Sequence, residues 1–317
     1  MVLSVFLFLI GLVILYYGAE WLIRGASSLA LQYGIRPIIV GLTIVALGTS
    51  MPEFLVNAVA AVTGEPDLAL GNIIGSNVAN IALILGASAL VIPIEVTPAI
   101  LRKEYPLMLS VMVLFYLVAM DGVISRWNGL LLVGCLMVIG IYLFLDERGA
   151  ETVTEDIEDE LQAGDPEATM LSKSLNLVGG TVGLALGAHL MVDSAVDIAN
   201  AMGVKHVVIG LTIVAIGTSL PELAASMVGA MKNEADLSVG NVLGSNLLNV
   251  LFVVGIVSAV RPLDVAPTSL SVHFPVMLGF CVLLLPIAWT QYRISRAEGG
   301  VLLVGFFGYM AYLVMYS

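Results

Sequence analysis

The chain has 317 residues, 59% of them hydrophobic and only 11% charged. Soluble domains carry about 25% charged residues. These proportions therefore exclude an ordinary soluble enzyme, a disordered chain and a fibrous one, and they make lipid the natural solvent. The formal net charge of −12, with no basic patch or base-stacking motif, excludes a nucleic-acid partner. That acidity is local. Ten acids lie between Asp146 and Glu167, leaving fourteen against twelve Lys and Arg in the rest of the chain. Cys135 and Cys281 sit in apolar runs and read as small hydrophobes.

About ten stretches approach the roughly 20 apolar residues that a bilayer crossing takes. In chain order they fall near 2–23, 37–62, 68–92, 105–120, 127–145, 174–199, 206–231, 237–259, 272–290 and 300–316. The first has no basic leader and no clear cleavage pattern, so it reads as a retained helix. With the N-terminus outside, nine basic residues fall in inner loops and three (Arg126, Lys205 and Arg261) in outer ones. That bias puts both termini outside and the acidic segment, residues 146–173, in the cytoplasm.

The chain contains an internal repeat. GLTIVALGTSMPE (Gly41–Glu53) matches GLTIVAIGTSLPE (Gly210–Glu222) at an offset of 169. The match runs without a gap through GNIIGSNVANI (Gly71–Ile81) and GNVLGSNLLNV (Gly240–Val250). From Gly41 to Gly86, 23 of 46 positions are identical to their partner, which chance does not produce. The repeat motifs are 41–86 and 210–255, inside halves spanning 1–145 and 174–317. Five spans per half is an odd number, so the second half enters the membrane from the opposite side. The expected fold is an all-α membrane protein of about ten helices in two inverted five-helix repeats. In that architecture a binding site lies at the repeat interface. The acidic segment becomes a polar tether between the halves. It lacks a calcium-loop pattern and room for a regulatory domain.

Glu53 and Glu222 lie at equivalent positions inside apolar spans, where an ionisable side chain costs at least about 2.5–3.5 kcal/mol. A protonated carboxyl bonding helix to helix would explain one such residue, but in both copies the neighbours are polar as well. Pro52 and Pro221 each remove an N–H and free the carbonyl four residues back, at Gly48 and Gly217. Each copy thus gathers backbone carbonyls, the Thr49 or Thr218 and Ser50 or Ser219 hydroxyls, and one carboxylate within about one turn. Irregular backbone at this depth is tolerated where it lines a cavity. The second motif adds Ser76 and Asn80, four apart on one helix face, and their counterparts Ser245 and Asn249. Asn77 and Asn246 read equally well as interhelical glue. The Gly71/Gly75 and Gly240/Gly244 pairs have the spacing that lets helices approach closely.

Every group in this set is a hard oxygen donor, with no His or Cys. That excludes a soft transition-metal site and suits Ca²⁺, which takes roughly 6–8 oxygens. Two carboxylates balance one divalent ion, and equally two Na⁺ or two protons. A buried site that can be neutralised in either way, but not left charged and empty, couples two opposed fluxes.

GTSxPE in both halves with GSNxxN downstream resembles the two conserved repeats of the Ca²⁺/cation antiporter superfamily, in particular its prokaryotic sodium/calcium exchanger branch. The resemblance covers nearly the whole chain. It implies a ten-helix fold with four clustered cation sites and a gating pair formed by the first and sixth helices. It implies ligands at Glu53, Glu222, Thr49, Thr218, Ser50, Ser219, Ser76, Ser245, Asn80 and Asn249, joined by the carbonyls of Ala46 and Ala215. It further implies exchange of Ca²⁺ for Na⁺ in a prokaryotic cytoplasmic membrane, with no cofactor and no obligatory protein partner. In one respect this chain departs from the pattern. Characterised exchangers often carry Asp at one of the two positions held here by Asn80 and Asn249, so Ca²⁺/H⁺ exchange stays open beside Ca²⁺/Na⁺ exchange.

A passive channel is disfavoured by two occluding acids in an inverted repeat. An enzyme is disfavoured because no nucleophile–base pair, metal triad or phosphate loop is present. On the sixth span His189, Asp193 and Asp197 follow at i, i+4 and i+8, and Glu20 and Arg24 answer them on the first. Local pairing near the membrane surface accounts for both sets, with gating or proton access as the alternative.

Overall fold

A computed structural model describes residues 2–64, 66–149, 163–165, 167–202 and 215–316. The start of the expected seventh span, residues 206–214, lies outside them. So do Lys205, His206 and most acids of the tether.

The described chain is helical with two short ribbons. Helix α1 is Val2–Tyr33, α2 is Pro37–Thr49 and α3 is Met51–Thr63. Next come α4 (Leu68–Val91), α5 (Glu104–Ala119) and α6 (Arg126–Gly149). The second half runs through α7 (Met170–Ala201), α8 (Leu220–Met231), α9 (Ala235–Val260), α10 (Ser269–Tyr292) and α11 (Arg296–Tyr316). Seven of these helices are long and apolar enough to cross a membrane. The α2–α3 pair, bent by 48°, passes the same test when its two helices are taken together as one broken span. The chain is thus an integral, multi-pass membrane protein. The expected fourth span appears as the 16-residue α5, preceded by a separate turn, Pro98–Arg102. Pro98 opens that turn because a ring-locked φ suits a first helical position.

The repeat visible in the residues recurs in the backbone. Helices α1 and α7 are both 32 residues long. Both α4 and α9 relax into a π-helical turn at the same place, Asn80–Ile84 and Asn249–Val254. Such turns mark functional positions in helices. The ribbons join the halves to each other. Strand β1 (Ile94–Glu95) pairs antiparallel with β4 (Arg293–Ile294), and β2 (Val123–Ile124) with β3 (Leu263–Asp264). Each ribbon takes one strand from each half. Under the repeat Ile94 matches Leu263, and Ile124 falls one position short of Ile294, so the two ribbons are near-copies.

Two packed regions follow. The larger apolar core is built mainly on α4, α5, α9 and α10, with Phe115, Phe274, Ile81 and Val250 wholly buried. Beside it α1 and α7 lie against each other along much of their length, with Leu15, Leu22 and Leu184 buried between them. Their closeness depends on small residues. A Cβ on Gly18 would fall 2.7 Å from the Leu184 backbone nitrogen, and one on its repeat-mate Gly187 would fall 2.6 Å from that of Leu15. In lipid, such backbone-to-backbone fit replaces the hydrophobic drive as the source of helix affinity. Gly240 and Gly244 do the same for α9 against α2: a Cβ there would meet the carbonyls of Ile38 and Leu42 at 2.5 and 2.4 Å. Gly71 and Gly75 meet nothing within 4 Å among the described residues.

Gly187→Val should force α1 and α7 apart at a cost of about 1–3 kcal/mol. A thermal melt of the detergent-purified protein should show a Tm several degrees lower. An unchanged Tm would mean that the helix pair contributes little to stability.

Candidate cation site

The sequence places a helix break just before each buried carboxylate, and the structure contains both breaks. Ser50 has φ −83° and ψ 2°, and Ser219 has φ −91° and ψ 6°, so the two turns are near-copies. Each serine precedes a new helix with proline in its first turn. Proline is tolerated there because the N–H it lacks would have no acceptor. The break therefore falls at the serine, beyond Gly48 and Gly217. Those glycines make room for α7: a Cβ on Gly48 would lie 2.7 Å from Thr181 Oγ1, and one on Gly217 would lie 2.2 Å from a Val192 methyl. What approaches them is a helix.

Glu53 and Glu222 occupy the first turns of α3 and α8, where the positive end of the helix dipole favours an acid. Each is 1% exposed, although the two come from opposite halves. The two carboxyl groups lie close enough to act on each other electrostatically. Ser50 Oγ donates to Glu222 Oε1 at 3.0 Å, so the polar turn of one half reaches the acid of the other. Ser76, Asn80, Ser245 and Asn249 on α4 and α9 are buried as well.

Seven oxygens of this set are buried with no hydrogen-bond partner: Glu53 Oε2, Glu222 Oε2, Ser76 Oγ, Ser219 Oγ, Ser245 Oγ, Asn80 Oδ1 and Asn249 Oδ1. Buried polar atoms are ordinarily paired, so this concentration calls for an explanation. For Asn80 the orientation is fixed. Its Nδ2 donates to Asn246 Oδ1 at 3.0 Å, leaving the amide oxygen unengaged. Asn246 thus acts as glue. Asn77 bonds back along its own helix, with Nδ2 donating to the Ile73 carbonyl at 2.8 Å. Among the described residues no three His, Cys, Asp or Glu side chains converge. A cation here would therefore meet two carboxylates and otherwise neutral oxygens.

Three predicted groups have other partners besides. Thr49 Oγ1 lies 3.1 Å from Asn241 Oδ1 and 3.3 Å from the Ala46 carbonyl, on the Glu222 side of the turn, and Thr218 Oγ1 donates towards Asn72 Oδ1 at 3.4 Å. The Ala46 carbonyl accepts the Ser50 N–H at 2.9 Å. Its counterpart differs, because the Ser219 N–H turns to the Ile216 carbonyl at 3.1 Å. Ala215 lies in the helical segment Ala215–Gly217 that precedes it. Asn72 and Asn241 were not among the predicted site residues. Their identity at the 169-residue offset, inside the GNxxGSN motif, was the available signal.

Of the outlying polar residues, His189 Nε2 and Asp193 Oδ2 lie 3.3 Å apart and both are exposed. Asp197 is exposed on the same helix. Glu20 pairs with Arg24 at 3.2 Å and, across helices, with Lys232 at 2.9 Å. Asp193 and Glu20 therefore do pair locally, and Glu20 also ties α1 to the end of α8.

Comparison with known proteins places the chain in a family. The chain is 39% identical over 315 residues to the putative antiporter CaxA of Alkalimonas amylolytica, covering 98% of both chains. It is 30% identical to the sodium/calcium exchanger MaX1 of Methanosarcina acetivorans, covering 97% of this chain and 96% of that one. Its fold superposes on the solved sodium–calcium exchanger NCX_Mj with a TM-score of 0.81 at 32% identity, over 98% of each chain. Residues 3–145 and 174–315 match the sodium/calcium exchanger protein family, and the chain belongs to that family: it is a cation exchanger of membranes, a transporter rather than an enzyme.

Proposed function

We propose that this protein exchanges Ca²⁺ for Na⁺ across a prokaryotic cytoplasmic membrane by alternating access, with both ions bound in turn at Glu53 and Glu222. The observation that carries this reading is a pair of buried carboxyls from opposite halves, accompanied by buried motif oxygens that have no hydrogen-bond partner. Ca²⁺ needs roughly 6–8 oxygens, and the two acids with Ser76, Ser219, Ser245, Asn80 and Asn249 supply that number. Ser50 and the carbonyls of Ala46 and Ala215 are further donors within the same two turns. Thr49 and Thr218 belong to the site through the turns they occupy.

The chemistry follows from charge. Two carboxylates in a site shielded from water repel strongly unless a cation sits between them. Ca²⁺ cancels both charges. Two Na⁺ cancel them equally, and a third leaves one positive charge, which makes the cycle sensitive to membrane potential. A site left unfilled keeps its repulsion, so reorientation is favoured only with one cargo or the other aboard. That is the condition for antiport.

The ribbons support ten crossings in two inverted five-helix halves, 1–145 and 174–317, joined by a tether at 146–173. Six expected crossings separate β1 from β4 and four separate β2 from β3. Both numbers are even, as strand pairing on one membrane face requires. The excess of basic residues in alternate loops supports both termini outside.

A second reading, Ca²⁺/H⁺ exchange, draws on one feature. Asn occupies both 80 and 249, so the site has only two acids, and two protons neutralise them without a third cation.

Uptake of ⁴⁵Ca²⁺ by everted vesicles separates the two. A Na⁺ gradient should drive uptake, and a pH gradient alone should not. Uptake that follows pH and ignores Na⁺ would overturn the first reading in favour of the second. Glu53→Gln and Glu222→Gln should each reduce transport by at least about a hundredfold, since each removes a charge that a buried divalent ion requires. Near-normal flux in either variant, inserted at normal abundance, would contradict the assigned role. Asn249→Asp should shift Na⁺ dependence or voltage sensitivity more than Ca²⁺ recognition, and unchanged coupling would reduce that position to scaffolding.

A further inference from the structure

Beside the two carboxylates lies a second pair of side chains that nothing above uses. Asn241 on α9 and its repeat-mate Asn72 on α4 each receive the hydroxyl of a threonine from the opposite half. Thr49 Oγ1 reaches Asn241 Oδ1 at 3.1 Å, and Thr218 Oγ1 reaches Asn72 Oδ1 at 3.4 Å. Each threonine stands directly before the serine at which its helix breaks. A broken turn has lost part of its own hydrogen-bond ladder and needs outside support to hold one shape.

Asn241 is wholly buried, and its orientation is determined by its donors. Its Nδ2 faces two acceptors, Ser226 Oγ at 2.9 Å and the Glu222 carbonyl at 3.3 Å. The amide oxygen is therefore left for Thr49. One side chain thus touches both acid-bearing turns: Thr49 in the first half and the Glu222 backbone in the second. Ser226 is itself braced, because Ser238 Oγ donates to its carbonyl at 2.8 Å.

The first half lacks this brace. The position matching Ser226 is Asn57, whose Nδ2 takes the Glu53 carbonyl at 2.6 Å, and the position matching Ser238 is Ala69. Asn72 Nδ2 is buried with no partner, and its bond from Thr218 is the longer of the two.

We propose that Asn241, and more weakly Asn72, are positioning residues that hold the broken turn of the opposite half in register, so that the separation of Glu53 from Glu222 is set before a cation arrives. This rests on reading those two acids as the cation ligands. Preorganisation of this kind acts on affinity, because a ligand set held in place has less ordering to do on binding.

The test is Ca²⁺ transport by the full chain in proteoliposomes, at fixed Na⁺ and fixed pH on both sides, with KM and maximal rate measured separately. Thr49→Val keeps the shape and removes the hydroxyl. It should raise the Ca²⁺ KM about tenfold, in keeping with the loss of one buried hydrogen bond, while the maximal rate changes less. Thr49→Ser should recover most of that loss. Asn241→Leu should raise KM at least as much, and adding Thr49→Val to it should bring little further change. Asn72→Leu should have a smaller effect than Asn241→Leu, as its longer bond implies.

The inference is overturned if Thr49→Val leaves KM unchanged, or if the effects of Asn241→Leu and Thr49→Val multiply in the double variant. Should Asn241→Leu fail to fold, comparison of Val with Ser at position 49 decides alone. If the unmodified protein carries a different cation, the functional reading above fails. The same variants are then judged on the KM of the cation it does carry.

Discussion

The candidate site depends on one constraint: two carboxyl groups buried in the interior of the molecule. Glu53 and Glu222 come from opposite halves of the chain and are almost fully removed from solvent. Like charges so placed repel without the damping that water provides. The fold must either surround them with counter-charge or supply it from outside. No Lys, Arg or His hydrogen-bonds to either acid among the described residues; the hydroxyl of Ser50 does. Cations or protons are what remain, and a protein whose interior needs mobile positive ions to be neutral is suited to moving them.

The scaffold is explained by the same demand. To bring two acids together, each half interrupts a helix and starts another with its N-terminus aimed at the centre. Proline after the break and glycine before it suit different tasks: the one opens the new helix, while the other admits the neighbouring α7. The cost of broken helices in lipid is normally prohibitive because backbone groups go unpaired. Here the breaks are enclosed. Helices α4 and α9 pass beside them with asparagines and serines that can satisfy loose groups, and their π-helical turns lie at Asn80 and Asn249.

Much of this could be read from residues alone. The 169-residue repeat, the acids at its centre and the polar character of their neighbours were all visible because they are local and occur twice. The helix break was legible to within two residues from Pro52 and Pro221. Less legible was which polar atoms remain unengaged. Thr49 and Thr218 look like ligands by composition, yet each hydroxyl also reaches an asparagine of the other half, 192 and 146 positions away. Such pairings depend on how one half crosses the other, and no window along the chain contains both partners. The ribbons were invisible for a similar reason. Two-residue strands carry no periodicity, and they exist only because the other half supplies the partner.

The repeat is also imperfect in a patterned way, and the pattern bears on transport. The predicted ligand side chains are identical in type in both halves: Thr, Ser, Glu, Ser and Asn, in that order. The supports behind them differ. Ser226 and Ser238 back Asn241, whereas Asn57 and Ala69 stand behind Asn72. The Ser50 N–H bonds back four residues, and the Ser219 N–H three. An inverted repeat with equal halves would tend to make its outward-facing and inward-facing states equal in energy. Cargo contacts set affinity, and a difference in the support behind them biases one state over the other by however much the two braces differ. Divergence that reaches the supporting residues but spares the predicted ligand types would therefore let the two faces of the membrane be treated differently.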